Sequence, residues 1–321
     1  MKRLRRWIRG GLVALFVLGV SIRTYSLWVK GIDDDPTHHP DTIFEGRSAA
    51  PDQYRVLYPL LWKALSPALG PARADDGATF LAIVLSCGVL FAVIRRETRH
   101  DLAAALGVIA FHGACAGTYH YFYRETFLDV ALSLAAFAAV TASPRTGAHW
   151  GAFILLSFFG TLNRESWLFV LCGAAAAVWA AVCRGGLTGR IRDLAFLGAG
   201  GLAAGVAYAV PRLVYGLKPY FCTVFTYRWN VAHLLPWKYP EVVWGHGVWS
   251  AGCGLFVVFV GSLFLGNRRH LSFIGGYGLP FLVATFLMAR WIETRIFFPL
   301  FAMMICSVAG FIAEEVRGAR K

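Results

Sequence analysis

Short charged clusters interrupt the long apolar runs of this 321-residue sequence. Three of them combine arginine with a carboxylate: Tyr123-Arg124-Glu125 followed by Asp129, then Asn163-Arg164-Glu165, then Arg290, Glu293 and Arg295. The planar fork of arginine binds two phosphate oxygens at once, and a positioned carboxylate can remove the proton of a hydroxyl. These residue types therefore predict a site that binds phosphate and activates a nucleophile.

A structural ion pair is the alternative for each carboxylate and its neighbouring arginine. Glu125 and Asp129 are four residues apart and would share one helix face, and Arg290 and Glu293 are three apart. Such pairs can simply tie helix ends together. Their recurrence beside an acidic segment shifts the interpretation toward a site.

Repeated membrane crossing is predicted by the composition. Apolar residues make up 57% of the chain and charged residues 15%, where soluble domains carry roughly 25% charged residues, and the mean hydropathy is +0.56. We predict an all-α, polytopic integral membrane helix bundle that forms a single transmembrane domain over residues 1–321, with about ten spans. The predicted spans cover residues 11–28, 77–94, 102–119, 126–142, 149–162, 167–183, 194–215, 242–265, 271–289 and 296–313.

The charges divide unequally between the two sides of such a bundle. One set of connections, with both termini, holds 17 basic and five acidic residues, and the other holds 14 basic and 13 acidic residues. The net charges of +12 and +1 account for the +13 of the chain. The positive-inside rule then places both termini in the cytoplasm and the three clusters on the other side. We expect a bacterial inner membrane, with the site facing the periplasm.

Two predicted outer loops are longer than turns. Residues 29–76 contain an amphipathic stretch, Tyr54 to Leu69, that we expect to lie as a helix in the membrane interface, and residues 217–240 are rich in aromatic side chains. Between His149 and Cys183 we predict a hairpin that turns at Asn163 to Ser166, because a charged pair at the bilayer centre is costly. The glycines of the seventh span are expected to allow close helix packing: Gly198, Gly200, Gly201 and Gly205.

The basic net charge does not indicate a nucleic-acid partner, because the charges lie at span ends and not on one exposed face. The seven cysteines contain no C-x-x-C pair, so we expect neither a disulfide framework nor a cysteine zinc site. His38 and His39, beside Asp33 to Asp35, could hold a divalent cation. A solvated acidic loop is the alternative, and no metal ligand is assigned.

Glycosyl transfer from a lipid phosphate fits these residue types. In that reaction a carboxylate deprotonates the acceptor hydroxyl, and cationic side chains neutralise the departing phosphate. The partners would be a lipid-linked sugar donor, a small or lipid-linked acceptor and the surrounding membrane lipids.

The layout resembles the GT-C superfamily of membrane glycosyltransferases. The acidic first loop, the segment Asp52-Gln53-Tyr54-Arg55-Val56-Leu57-Tyr58-Pro59-Leu60-Leu61, the turn Asn163-Arg164-Glu165-Ser166 and the segment Glu293-Thr294-Arg295-Ile296-Phe297-Phe298-Pro299 carry the likeness. The resemblance implies a polyprenyl- or dolichyl-phosphate sugar donor, and a catalytic base in the first outer loop. Candidates for that base are Asp33, Asp34, Asp35 and Asp41. Substrate-binding candidates are Arg55, Arg124, Glu125, Asp129, Arg164, Glu165, Arg290, Glu293 and Arg295.

The leading hypothesis is an inverting glycosyltransferase. A transporter or flippase for a lipid-linked or anionic solute is the second hypothesis, with the outer arginines forming its entrance. A scaffold within a membrane complex is the third.

Overall fold

The computed structural model describes residues 2–28, 40–48, 54–116, 125–186, 190–218, 268–288 and 297–318. These residues form eleven helices and the turns between them, without a strand. The helices are α1 (Lys2–Trp28), α2 (Pro40–Phe44), α3 (Leu57–Leu69), α4 (Pro71–Thr98), α5 (Asp101–Ala116), α6 (Thr126–Thr141), α7 (Gly147–Asn163), α8 (Trp167–Gly185), α9 (Ile191–Tyr215), α10 (Arg268–Met288) and α11 (Phe298–Gly318).

The predicted spans coincide with described helices, except the span at residues 242–265, which lies outside the described residues. Among the described helices, five are long and apolar enough to cross a membrane, namely α1, α4, α8, α9 and α11, and α5 and α6 are shorter apolar helices. The chain is a helical membrane protein, and the count of ten spans stays a prediction.

Helix α4 is the centre of the bundle and packs against α1, α3, α5, α6 and α11. Two further helix pairs, α7 with α9 and α8 with α10, complete the described part. Large side chains such as Phe111, Phe137 and Trp150 fill the interior. The outward faces of α1 and α9 present Leu12 and Leu202, which suits contact with lipid chains and not with water.

Helices α3 and α4 form a hairpin at Gly70, whose φ of +77° lies in the left-handed region that glycine adopts without strain. The Trp62 indole donates a hydrogen bond to the Pro71 carbonyl at 3.0 Å, and the Tyr58 hydroxyl donates one to Asp75 Oδ1 at 2.9 Å. The stretch predicted as an interfacial helix is thus helical from Leu57 onward. Its position in the membrane interface stays a prediction.

The predicted break between α7 and α8 is confirmed, because α7 ends at Asn163 and α8 begins at Trp167. The two helices diverge after the turn and do not pair along their length, since α7 packs on α9 and α8 packs on α10. At the turn, the Trp167 ring lies directly against Gly160, where an added Cβ would come within 2.0 Å of the ring.

The predicted close packing at the glycines of α9 is confirmed at Gly200, where an added Cβ would meet the Phe153 ring at 2.6 Å. At Gly198, Gly201 and Gly205 an added Cβ would meet no atom of another helix within 4 Å in the described part of the chain. Close packing at these three glycines stays a prediction.

The charged helix termini gather at two ends of the bundle. One end, here called the basic end, joins Arg9 and Arg95 to Asp101, and Arg96 to Glu97. It also joins Arg145 and Arg190 to Asp193. The other end, here called the site end, lies at the opposite terminus of α7, about 25 Å away for a 17-residue helix.

Candidate functional site

The site end brings together the start of α6, the turn between α7 and α8, the end of α9 and the segment just before α3. Each contributes charged or aromatic side chains that contact another element. Segments that are distant in sequence therefore build one polar cluster.

Arg55 and Glu125 form the first ion pair of this cluster. Arg55 Nη1 lies 3.0 Å from Glu125 Oε1, and both side chains are largely buried. The Asn163 side-chain amide reaches the Glu125 carbonyl at 3.5 Å. Glu125 is the N-cap residue of α6, where the helix dipole favours a negative charge.

Arg164 and Asp129 form a second pair, one turn further along α6. Arg164 Nη1 lies 3.4 Å from Asp129 Oδ2, and the side chains are only 8% and 5% exposed. The buried side chain of Tyr277 on α10 lies within electrostatic range of both. Two buried opposite charges hold each other in place, because removing either would leave the other without compensation.

Arg212 of α9 forms the third pair, with Glu165. Its guanidinium carbon lies 4.0 Å from the centre of the Tyr54 ring and 3.5 Å from that of Tyr208. It also donates a hydrogen bond to the Tyr208 carbonyl at 2.8 Å. Stacking between two aromatic faces suits the planar guanidinium and fixes its orientation.

Tyr54 ties the segment before α3 to the end of α9. Its hydroxyl donates a hydrogen bond to the Gly216 carbonyl at 3.0 Å and accepts one from the Lys218 amide at 2.7 Å. These hydrogen bonds of Tyr54 hold the next residue, Arg55, within reach of Glu125.

Part of the first predicted outer loop packs directly beside these pairs. Ile43 of α2 joins a small apolar cluster with Val56, Leu162 and Ala207, which come from the α3 segment, α7 and α9. Asp41 lies in the first turn of α2 and is exposed. Helix α2 is therefore anchored beside Val56 and Leu162, which are the sequence neighbours of Arg55 and Asn163.

The alternative of an ion pair between sequence neighbours is not found at the α7–α8 turn. Arg164 pairs with Asp129 and not with Glu165, and Glu165 pairs with Arg212. Of the predicted site residues, the structure brings together Arg55, Glu125, Asp129, Arg164 and Glu165. Asp41 lies on α2 and is exposed. The remaining predicted site residues lie outside the described residues: Asp33, Asp34, Asp35, Arg124, Arg290, Glu293 and Arg295.

Two members of this cluster, Arg212 and Tyr277, are not among the site residues predicted from the sequence. A signal for Arg212 was available, because an arginine within an apolar span is a candidate functional residue by itself. No comparable signal marks Tyr277, whose role depends on how α8 and α10 pack.

A metal centre finds no support in the described part of the chain, where no group of three His, Cys, Asp or Glu side chains could hold an ion. His38 and His39 lie outside that part, so a divalent cation at the acidic loop stays a prediction.

Three buried polar atoms at the site end make no hydrogen bond within the described part of the chain: Thr126 Oγ1, Asn163 Oδ1 and Trp167 Nε1. Buried polar groups are normally satisfied by protein, water or ligand. These atoms are therefore suited to hydrogen bonds with ligand hydroxyls, close to three positioned guanidinium groups.

A comparison with known protein families, curated proteins and solved structures gives no match to this chain.

Proposed function

We propose that the chain is a GT-C-like membrane glycosyltransferase, with about ten spans and cytoplasmic termini, that transfers a sugar from a polyprenyl-phosphate donor on the non-cytoplasmic side. The proposal is supported by the three arginine-carboxylate pairs at the site end. They join the segment before α3, the start of α6, the α7–α8 turn and the end of α9, with α2 of the first loop packed beside them.

The carboxylates position the arginines, and the positioned guanidinium groups would bind the phosphate. Each guanidinium has five N–H donors in a fixed fork. The bound donor is a phosphodiester with a single negative charge. Cleavage of the sugar–phosphate bond releases polyprenyl phosphate, a monoester that carries about −1.5 to −2 near neutral pH, and the arginines would stabilise this added charge.

The reaction proposed is an inverting displacement. An aspartate of the first loop, from Asp33 to Asp35 or Asp41, takes the proton of the acceptor hydroxyl, whose oxygen forms a bond to the anomeric carbon. The bond between that carbon and the phosphate oxygen breaks, and the lipid phosphate leaves with the electron pair. Arginines stabilise the charge that develops on the leaving oxygen.

The test uses the purified protein in liposomes with a panel of polyprenyl-phosphate hexoses and pentoses carrying a radiolabelled sugar, and a membrane lipid and oligosaccharide extract as acceptor. The wild type should form a labelled product and release polyprenyl phosphate in equal amount. Replacing Asp33, Asp34 and Asp35 together by Asn should lower the rate by about 10²–10⁴-fold. Glu45→Gln, which changes an exposed carboxylate of the same loop paired with Arg47, is the matched control.

Two results would contradict the proposal. Full activity in the triple variant would remove the assignment of the base to Asp33 to Asp35. Movement of label across the vesicle membrane without any covalent product would instead support the transporter hypothesis.

A further inference from the structure

The basic end contains a cluster of arginines around one buried carboxylate. Asp193, in the first turn of α9, accepts a hydrogen bond at Oδ1 from Trp150 Nε1 at 3.1 Å. Its Oδ2 lies 3.3 Å from Arg190 Nη1 and 3.5 Å from Arg145 Nη1. The proposed transfer reaction does not use this cluster, which lies at the far end of α7.

Arg145 is the most enclosed of these arginines. Its guanidinium carbon lies 5.6 Å from the centre of the Trp150 ring. Its Nη1 atom is buried and makes no hydrogen bond within the described residues, although it approaches Asp193. A charged donor held in place without a hydrogen-bond partner is suited to an anionic ligand.

The cluster has more positive charge than Asp193 can balance. Burial lowers the pKa of Arg145, Asp193 raises it, and Arg190 and Arg184 lower it. Arg184 therefore lies within electrostatic range of Arg145, while Arg145 and Arg190 contact Asp193. These three arginines and one carboxylate leave an excess of two positive charges. Arginine remains protonated in any case, so this repulsion favours binding of a counter-anion.

The positions of Arg184 and Arg190 at helix ends indicate the source of that anion. The candidate span on α8 ends at Arg184, and the candidate span on α9 begins at Ile191, directly after Arg190. Residues at the ends of membrane-crossing helices lie at the depth of the lipid headgroups. Basic pockets between such helices bind phosphate-bearing headgroups.

We infer that Arg145, Arg184 and Arg190 bind the phosphate of an anionic phospholipid in the leaflet that faces the basic end. Asp193 and Trp150 act as positioning residues that hold Arg145 and Arg190 toward that phosphate. Free inorganic phosphate has the same binding chemistry, and the experiment separates the two sources.

The experiment measures how many lipids stay bound, and how tightly, by native mass spectrometry of the purified protein titrated with phosphatidylglycerol, with phosphatidylcholine and with inorganic phosphate. Arg184→Gln is the main variant, because Arg184 is exposed and its replacement disrupts none of the described ion pairs. Arg145→Gln is the second variant, and Arg99→Gln, an exposed arginine at the same end, is the matched control for charge.

Phosphatidylglycerol should bind more tightly than phosphatidylcholine, and each of the two variants should weaken its binding about fivefold, the effect of one positive charge near a lipid surface. The Arg99→Gln control should bind like the wild type. Equal retention of the two lipids, equal weakening in all three variants, or inorganic phosphate that displaces phosphatidylglycerol at equal concentration would each overturn the inference.

Discussion

The two ends of the bundle use arginine and carboxylate in different ways. At the site end each described pair joins one arginine to one carboxylate from another segment of the chain, and the Arg164–Asp129 pair is almost fully buried. At the basic end Asp101 and Asp193 are each shared between two arginines, and the Arg9–Asp101 pair is 51% and 31% exposed. One-to-one buried pairs fix the positions of their side chains, whereas an excess of positive charge at helix ends orients the chain in the membrane and attracts anionic lipids.

The largest expected effect is at the buried pair. Asp129→Ala leaves the Arg164 guanidinium buried without a counter-charge, which should lower the free energy of unfolding by about 3–5 kcal/mol. Thermal unfolding in detergent micelles, monitored by tryptophan fluorescence, measures the change. Asp101→Ala is the control at the basic end and should have a far smaller effect, because solvent screens the Arg9 pair. Equal destabilisation by the two variants would contradict the distinction between the two ends.

A smaller effect is expected where the α7–α8 turn is closely packed. Gly160→Ala drives a methyl group into the Trp167 ring and should destabilise the protein by about 1–3 kcal/mol. The displaced ring should also disturb the Arg164 turn and slow sugar transfer. The matched control is Gly198→Ala in α9, where an added methyl group meets open space, and alanine should stabilise that helix by up to about 1 kcal/mol. Two variants with the same unfolding temperature would argue against this packing.

The smallest effect concerns Arg212. Arg212→Lys keeps the positive charge beside Glu165 but loses the planar stack between Tyr54 and Tyr208, which is worth about 0.5–1 kcal/mol. Transfer activity should fall more than stability does, because the guanidinium orientation is lost. Arg95→Lys, in a half-exposed pair with Asp101, is the control and should leave both quantities unchanged. A purely structural role of Arg212 would lower stability and leave the activity of the folded fraction unchanged.

The positions of the helices could be predicted from the sequence. Long apolar runs bounded by charges locate the helices, and the charged tetrapeptide Asn163 to Ser166 identifies the break between α7 and α8. The tetrapeptide predicts the break because burying its charges in lipid costs more free energy than ending the helix at Asn163.

The partners of the charges could not be predicted in the same way. Arg55 and Glu125 are 70 residues apart, and Arg212 and Glu165 are 47 apart. Which helix ends meet is decided by side-chain packing between helices, which a single sequence does not encode in its spacing. Gly200 illustrates the same limit: the glycine spacing of α9 identifies a face, but it does not identify Phe153 of α7 as the side chain that covers it.

The most direct test asks whether the proposed site residues, including those outside the described part of the chain, face the same side of the membrane. Asp34→Cys, Glu293→Cys and Arg99→Cys are introduced one at a time into a variant without native cysteines and labelled with a membrane-impermeant maleimide in sealed, right-side-out vesicles. We expect Cys at positions 34 and 293 to react from outside and Cys at position 99 to react only after the vesicles are opened. Labelling of positions 34 and 293 from different sides would contradict a shared site.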